Sequence, residues 1–132
     1  YVAMEWPRSC SYWRLRFVKK FIERFQLQTA RLDGCMVGLR APSIQGLMYK
    51  PWRIETNCFE LWRSLHGLLC TRDHEHSLCS GTDCKSSDNY TKIMGKLIVC
   101  GYNPCLTSLR SGDCTTSTLP VVTLPRQLAC EG

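Results

Sequence analysis

The fold is decided by residues 2–26, VAMEWPRSCSYWRLRFVKKFIERFQ, in which a short apolar run precedes an amphipathic segment. Because residues 2–7 are mostly apolar, we predict that they form a buried strand. Ser9 or Ser11 can then cap a helix that runs to about Gln26. Along this helix aromatic residues recur every four positions, which predicts a broad apolar stripe that packs on a sheet. The predicted stripe consists of Trp13, Phe17, Phe21 and Phe25, with Val18 and Ile22 beside them.

The other face of this helix is basic. Residues 1–40 carry eight Lys and Arg against three acidic residues, which accounts for +5 of the formal net charge of +6. Such a bias permits contact with nucleic acid or another polyanion, although a basic helix face is more often only solvated. The candidate phosphate contacts are Arg14, Arg16, Lys19, Lys20 and, farther along the chain, Lys50.

Strands and helices continue to alternate downstream. The predicted strands cover 30–33 and 47–56, and the predicted helices cover 58–66 and 90–99. Asn57 can cap the first of these helices. A polar loop rich in Cys and His separates them at 67–89. This pattern predicts an α/β domain over residues 1–102.

The last part of the chain has a different character. Residues 103–132 contain eight Ser and Thr, three Pro and three Cys without a helical period, and only 119–124 resembles a strand. We therefore predict an irregular, disordered tail, or a product that is read past the true end of the domain.

The cysteine content and the hydropathy bear on the compartment. The ten cysteines are irregularly spaced, and the first hundred residues are apolar enough to form a core without disulfides. This usage favours an intracellular, reducing environment over a disulfide scaffold. No apolar stretch reaches the roughly 18–20 residues of a membrane span, and no signal peptide is visible, so we expect no membrane contact.

The densest group of potential metal ligands has the spacing C-x3-H-x-H-x2-C. Thiolates and imidazoles are the ligands that zinc prefers, so a structural zinc site is one interpretation. The spacing is not one of the common zinc-finger pairs, and a loop whose histidines bond to backbone or carboxylates is the alternative. The candidate ligands are Cys70, His74, His76 and Cys79.

Other polar residues suggest a pocket but no complete catalytic set. Glu5, at the end of the first strand, can accept a hydrogen bond from a base or an amine, or can simply face the dipole of the next helix. Lys50 and Arg53 could meet phosphate, and Trp52 could stack on a ring. The usual motifs of nucleotide, zinc-protease and serine-nucleophile sites are absent from the sequence.

Several short motifs together resemble the second half of a cytosine-5 DNA methyltransferase-like domain of the divergent kind that phages and mobile elements encode. The resemblance covers residues 2–100 approximately and rests on order and spacing rather than on any single motif. The motifs are Glu5-Trp6-Pro7, Tyr12-Trp13, LDGCMVGL at 32–39, KPWRIETN at 50–57, Cys70 with DHEH at 73–76, and Gly81.

The resemblance implies a partial class I methyltransferase-like (Rossmann-like) sheet with flanking helices. The opening strand would be a late parallel strand, and the strands in the 30s and 50s would form a terminal hairpin-like pair. Glu5 would contact the flipped cytosine, although Trp6 replaces the family's Asn, and Arg53 would lie near the substrate pocket.

The family's S-adenosylmethionine loop and Pro-Cys nucleophile would lie upstream of Tyr1, so we expect a fragment of a methyltransferase-like protein that is inactive alone. Two alternatives stay open. One is a small zinc-stabilised nucleic-acid-binding module, and the other is a decayed mobile-element product without activity.

Overall fold

The computed structural model describes residues 1–77, 87 and 89–110, with side chains as far as 104. This part of the chain is mixed α/β, as predicted. Its strands are β1 Ala3–Pro7, β2 Gln28–Asp33 and β3 Pro51–Thr56. Its helices are α1 Arg16–Arg24, α2 Phe59–Leu65 and α3 Lys92–Arg110, and short 3-10 turns cover Ser11–Arg14 and Gly34–Val37.

The three strands form one sheet in the order β1-β3-β2, and β3 runs antiparallel to both neighbours. The strands in the 30s and 50s are therefore adjacent and antiparallel. β1 was expected as a late parallel strand. It runs in the same direction as β2, but its hydrogen-bonded neighbour is the antiparallel β3. Within the described residues the sheet is thus small and antiparallel, and a Rossmann-like sheet is not shown.

Side chains alternate between the two faces along each strand, so each face can carry its own apolar cluster. Helices cover both faces. Met4 lies beside Glu55 on one face, where a smaller core cluster packs under α1. This cluster consists of Val2, Met4, Trp13, Val18 and Leu27. Glu5 lies beside Ile54 on the other face, where α2 and α3 cover the larger core cluster. That cluster consists of Ala30, Leu32, Val37, Leu39, Ala41, Met48, Trp52, Ile54, Cys58, Leu61, Leu65 and Met94.

The predicted apolar stripe of α1 is wrong at Phe17, whose exposed fraction is 68%. The α-helix begins only at Arg16, after a 3-10 turn, and the chain makes no side-chain cap at this point. Trp13 is buried from that turn and donates from Nε1 to the Pro7 carbonyl at 2.9 Å. Because the two helical segments differ in phase, the buried arc of α1 is centred on Val18, and Phe17 falls outside it.

The final helix is longer than predicted. α3 continues to Arg110 and contains Pro104, although the irregular tail was expected to start at residue 103. Residues 111–132, which include the rest of the predicted tail, lie outside the described residues.

Candidate metal centre

Two segments meet at the end of β2 and build the centre. The strand ends at Asp33 and leads into the 3-10 turn that carries Cys35. The second segment is the loop 69–77, which begins where Leu68 bridges to Leu32. Its other end is held by the Ser77 N–H, which donates to the Leu47 carbonyl at 2.7 Å. The loop is therefore anchored at both ends to the body of the domain.

Four ligand atoms converge at this junction. One atom each from Cys35, Cys70, His74 and His76 lies within 4.8 Å of all the others. The Sγ of Cys70 is 3.6 Å from Nε2 of His74 and 3.4 Å from Nε2 of His76. In a tetrahedral zinc site, metal–sulfur bonds of about 2.3 Å and metal–nitrogen bonds of about 2.0–2.1 Å separate the two ligand atoms by roughly 3.5 Å. The group could therefore hold a metal such as zinc.

The surroundings orient the ligands. The Nδ1 of His74 lies 2.9 Å from Asp73 Oδ1, and the same hydrogen bond lowers the pKa of the Asp73 carboxyl. Because a carboxylate only accepts, this contact assigns the ring proton to Nδ1 and leaves the Nε2 lone pair directed toward Cys70. Carboxylate partners of this kind fix metal-binding histidines in the ligating tautomer. The ring of His76 is flanked by that of Tyr49, with 5.3 Å between centroids.

The two thiols differ in environment. Cys35 is 6% exposed, whereas Cys70 is half-buried. Burial raises the pKa of the Cys35 thiol to about 11, and the neighbouring Cys70 adds to the shift. The backbone N–H of Arg72 donates to Cys70 Sγ at 3.2 Å. A bound divalent cation would supply the positive charge that Cys35 needs to ionise.

Three of the four residues that converge here are candidates that the sequence spacing had suggested. Cys70, His74 and His76 come together as predicted, whereas the predicted fourth ligand, Cys79, lies outside the described residues. The His-x-His spacing is accommodated because the loop bends, with a positive φ of 61° at Arg72. Sequence reasoning missed Cys35. Its position directly after a predicted strand and a glycine was the available signal.

Glu5 and Arg53 do not share a pocket. Glu5 lies opposite Ile54 in the register, so it and Arg53 project from opposite faces of the sheet. The Tyr90 hydroxyl donates to Glu5 Oε2 at 2.9 Å. Arg53 donates from Nε to Glu55 Oε1 at 2.6 Å, and its guanidinium lies 4.4 Å from the Trp13 ring centroid.

The candidate phosphate contacts separate into two groups. Four of them are exposed in and just before α1, namely Arg14, Arg16, Lys19 and Lys20. Lys50 instead donates to the carbonyl and the hydroxyl of Ser87, each at 3.1 Å. Trp52, which could have stacked on a ring, is 2% exposed and belongs to the core. The exposed basic character is thus concentrated at α1.

In the part of the chain that the structure describes, no helix combines the length and the apolarity needed to cross a lipid bilayer. No protein-family model matches the chain, and neither a curated protein nor a solved structure shows significant similarity to it.

Proposed function

We propose that the chain is a zinc-stabilised nucleic-acid-binding module in which Cys35, Cys70, His74 and His76 hold one structural zinc ion. The convergence of four ligand atoms within 4.8 Å carries this proposal. Two thiolates with two imidazoles are a common structural zinc set, and four protein ligands leave no open position for a substrate or a reactive water. The ion would therefore hold structure rather than perform chemistry.

The metal would join segments that are distant in sequence. Cys35 belongs to the turn after β2, whereas the other three ligands belong to the loop 69–77. Within the described residues this loop contributes no residue to either core cluster beyond the partly buried Leu68 at its border. Metal coordination would thus supply much of the free energy that orders it.

The binding half of the proposal rests on charge. Arg14, Arg16, Lys19, Lys20 and Arg24 are all exposed, and none of the five forms an ion pair within the described residues. Clusters of exposed Lys and Arg attract phosphate backbones and make affinity depend on salt. The positive potential of α1 therefore suits a nucleic acid.

Metal content tests the zinc half. We expect about one equivalent of zinc in the full chain, and replacement by Co²⁺ should give the visible spectrum of a tetrahedral thiolate site. Cys70→Ser should reduce the bound metal strongly, whereas the control Cys100→Ser should not, because Cys100 is an exposed residue of α3. Less than about half an equivalent, with unchanged thermal unfolding after chelation, would remove the zinc site.

Fluorescence anisotropy with labelled oligonucleotides tests the binding half. We expect affinity to fall steeply between about 50 and 200 mM salt. The charge reversal Arg16→Glu/Lys20→Glu should weaken binding, whereas the matched pair Arg63→Glu/Lys96→Glu on α2 and α3 should have a smaller effect. Equal losses for both pairs would argue against α1 as the interface.

A methyltransferase-like origin is the second candidate. The antiparallel pairing of β2 and β3 beside β1 supports it, because the resemblance implies such a pair at the end of a class I sheet. S-adenosylmethionine would then be the cofactor of the complete protein. Because Glu5 and Arg53 lie on opposite faces of the sheet, only one of them would line the substrate pocket. The coding sequence upstream of Tyr1 decides this. If it lacks both a Gly-rich strand-to-helix turn and a Pro-Cys loop, this origin is rejected.

A further inference from the structure

Phe17 is exposed in a place where the neighbouring aromatics are not. Its exposed fraction of 68% is the largest of any large hydrophobic side chain among the described residues. Phe21 and Phe25 follow at four-residue intervals, and both pack against the cluster under α1, with 4.6 Å between their ring centroids. Phe17 therefore contributes little to the core, and its ring is available at the surface.

Basic residues share the side of the helix that carries Phe17. Phe17, Lys20 and Arg24 occupy positions i, i+3 and i+7 of α1 and so lie along one side of the helix. Arg16, the first residue of the same helix, is exposed, and so is Arg14, the last residue of the preceding 3-10 turn. The only acidic residue of α1 is Glu23, which is also exposed. We call the surface formed by Arg14, Arg16, Phe17, Lys20 and Arg24 the α1 surface.

The geometry points to the α1 surface as a site for single-stranded nucleic acid, in which the basic side chains contact phosphates and the Phe17 ring stacks on a base. This inference rests on the nucleic-acid binding proposed above and specifies its substrate class. Proteins that bind single strands combine a positive track with aromatic rings that accept the unstacked bases. The α1 surface offers both elements, and Phe17, Lys20 and Arg24 lie within about two helical turns.

Duplex nucleic acid fits this surface less well. Its bases are already stacked on one another, so a protruding ring could reach a base face only by wedging between two steps. Wedging unstacks the duplex at a free-energy cost that extensive contact with the bent duplex must offset. α1 has only nine residues, which leaves little surface for such wrapping. An unpaired strand presents its base faces without this cost.

A lipid surface also fits less well. Helices that lie in the membrane interface bury a continuous apolar face among the lipids. The apolar face of α1 is already occupied within the domain, since Val18 is 3% exposed and Phe21, Ile22 and Phe25 pack against the same cluster. One ring among several cations is a stacking contact rather than a membrane anchor.

The experiment measures the affinity of the zinc-loaded full chain for two labelled oligonucleotides, by fluorescence anisotropy at low salt. One is an oligo-dT of about 20 nucleotides, and the other is a duplex of equal length. We expect tighter binding of the single strand. Phe17→Leu should weaken that binding about tenfold or more, and Phe17→Trp should preserve it, because leucine keeps the apolar character and loses the stacking face. The matched control is Phe59→Leu, on α2, where the ring is 55% exposed and lies outside the α1 surface. Bound zinc and far-ultraviolet circular dichroism verify that each variant is folded.

The outcomes separate this inference from the proposed function. If duplex binds as tightly as the single strand and Phe17→Leu has no effect, the stacking role is overturned while nucleic-acid binding stands. If neither oligonucleotide binds to the zinc-loaded chain, both are overturned. If the chain instead binds phosphatidylserine-containing vesicles, and Phe17→Leu abolishes this binding, the α1 surface is a membrane-contact surface and the inference is overturned.

Discussion

Asp33 accepts a hydrogen bond on Oδ2 from the backbone N–H of Cys70, at 2.9 Å. Its other carboxylate oxygen, Oδ1, accepts from Nη2 of Arg8 at 2.7 Å. Asp33 is 2% exposed and is the last residue of β2, so the chain passes from it directly into the turn that carries Cys35. One buried carboxylate therefore links the segment that carries Cys35 to the segment that carries Cys70, and it is not itself one of the four candidate ligands. If the group holds a metal, Asp33 would act as a positioning residue.

Asp33→Asn should lower zinc affinity by about 10- to 100-fold, because partners of metal ligands typically contribute that much. The same change removes the charge that pairs with Arg8, and we expect the free energy of unfolding to fall by about 2 kcal/mol. Competition with a chromophoric chelator and urea denaturation measure the two effects. Glu60→Gln is the control, since it alters only an exposed pair with Arg63. Unchanged zinc affinity in Asp33→Asn would refute the positioning role.

Local pattern was sufficient to predict the elements, but not their arrangement. Alternation in Trp52-Arg53-Ile54-Glu55 indicates a strand, and β3 is indeed there. That β3 lies between β1 and β2 could not be predicted, because strand order depends on pairings such as Met4 with Glu55 that are remote in sequence. Phe17 was predicted to be buried for a related reason. The sequence did not show that α1 begins only at Arg16, and this late start changes which residues face the core.

The same limit applies to the candidate site. Cys70, His74 and His76 are close in sequence, so residue type and spacing predicted them together. Cys35 joins them only because the end of β2 bridges to Leu68, a contact between residues 36 positions apart. The burial of Glu55 also depends on a residue that is distant in sequence. Its Oε1 accepts hydrogen bonds from Thr29 and from Arg53, and these partners allow the carboxylate to be completely buried.

Two glycines of α3 should respond to alanine in opposite directions. A Cβ at Gly95 would meet nothing within 4 Å, so Gly95→Ala should stabilise the protein by about 0.5–1 kcal/mol through helix propensity. A Cβ at Gly101 would lie 2.8 Å from the backbone Cα of Leu61 and 2.8 Å from Ser64 Oγ. Gly101→Ala should therefore push α2 and α3 apart and destabilise by about 1–3 kcal/mol. Urea denaturation of both variants measures the difference, and a shift of equal sign would contradict the close helix contact.

The pair Arg53–Glu55 should show strong coupling in a double-mutant cycle. The Glu55 side chain is fully buried, and its Oε2 has no hydrogen-bond partner among the described residues, so the carboxylate depends on Arg53 and Thr29 through Oε1. Arg53→Met leaves a buried charge without its counter-ion, and we expect a loss of about 3 kcal/mol or more. The double variant Arg53→Met/Glu55→Met should be destabilised by less than the sum of the single variants, with a coupling of about 1–3 kcal/mol. Additive losses would show that the ion pair contributes little beyond its separate side chains.

Metal removal should open the loop 69–77 before it unfolds the domain. Arg72 is an exposed trypsin cleavage site inside this loop. Arg40 is an exposed cleavage site outside the loop, and its guanidinium donates a hydrogen bond to the Gln45 carbonyl at 2.7 Å. Proteolysis at low trypsin concentration reports local opening, because cleavage requires the chain to leave its folded conformation. Chelation should accelerate cleavage after Arg72 by about tenfold or more while cleavage after Arg40 changes little, which mass spectrometry of the fragments can follow. Equal acceleration at both sites would mean that the metal supports the whole domain, and no acceleration at either would mean that the loop is held by its hydrogen bonds alone.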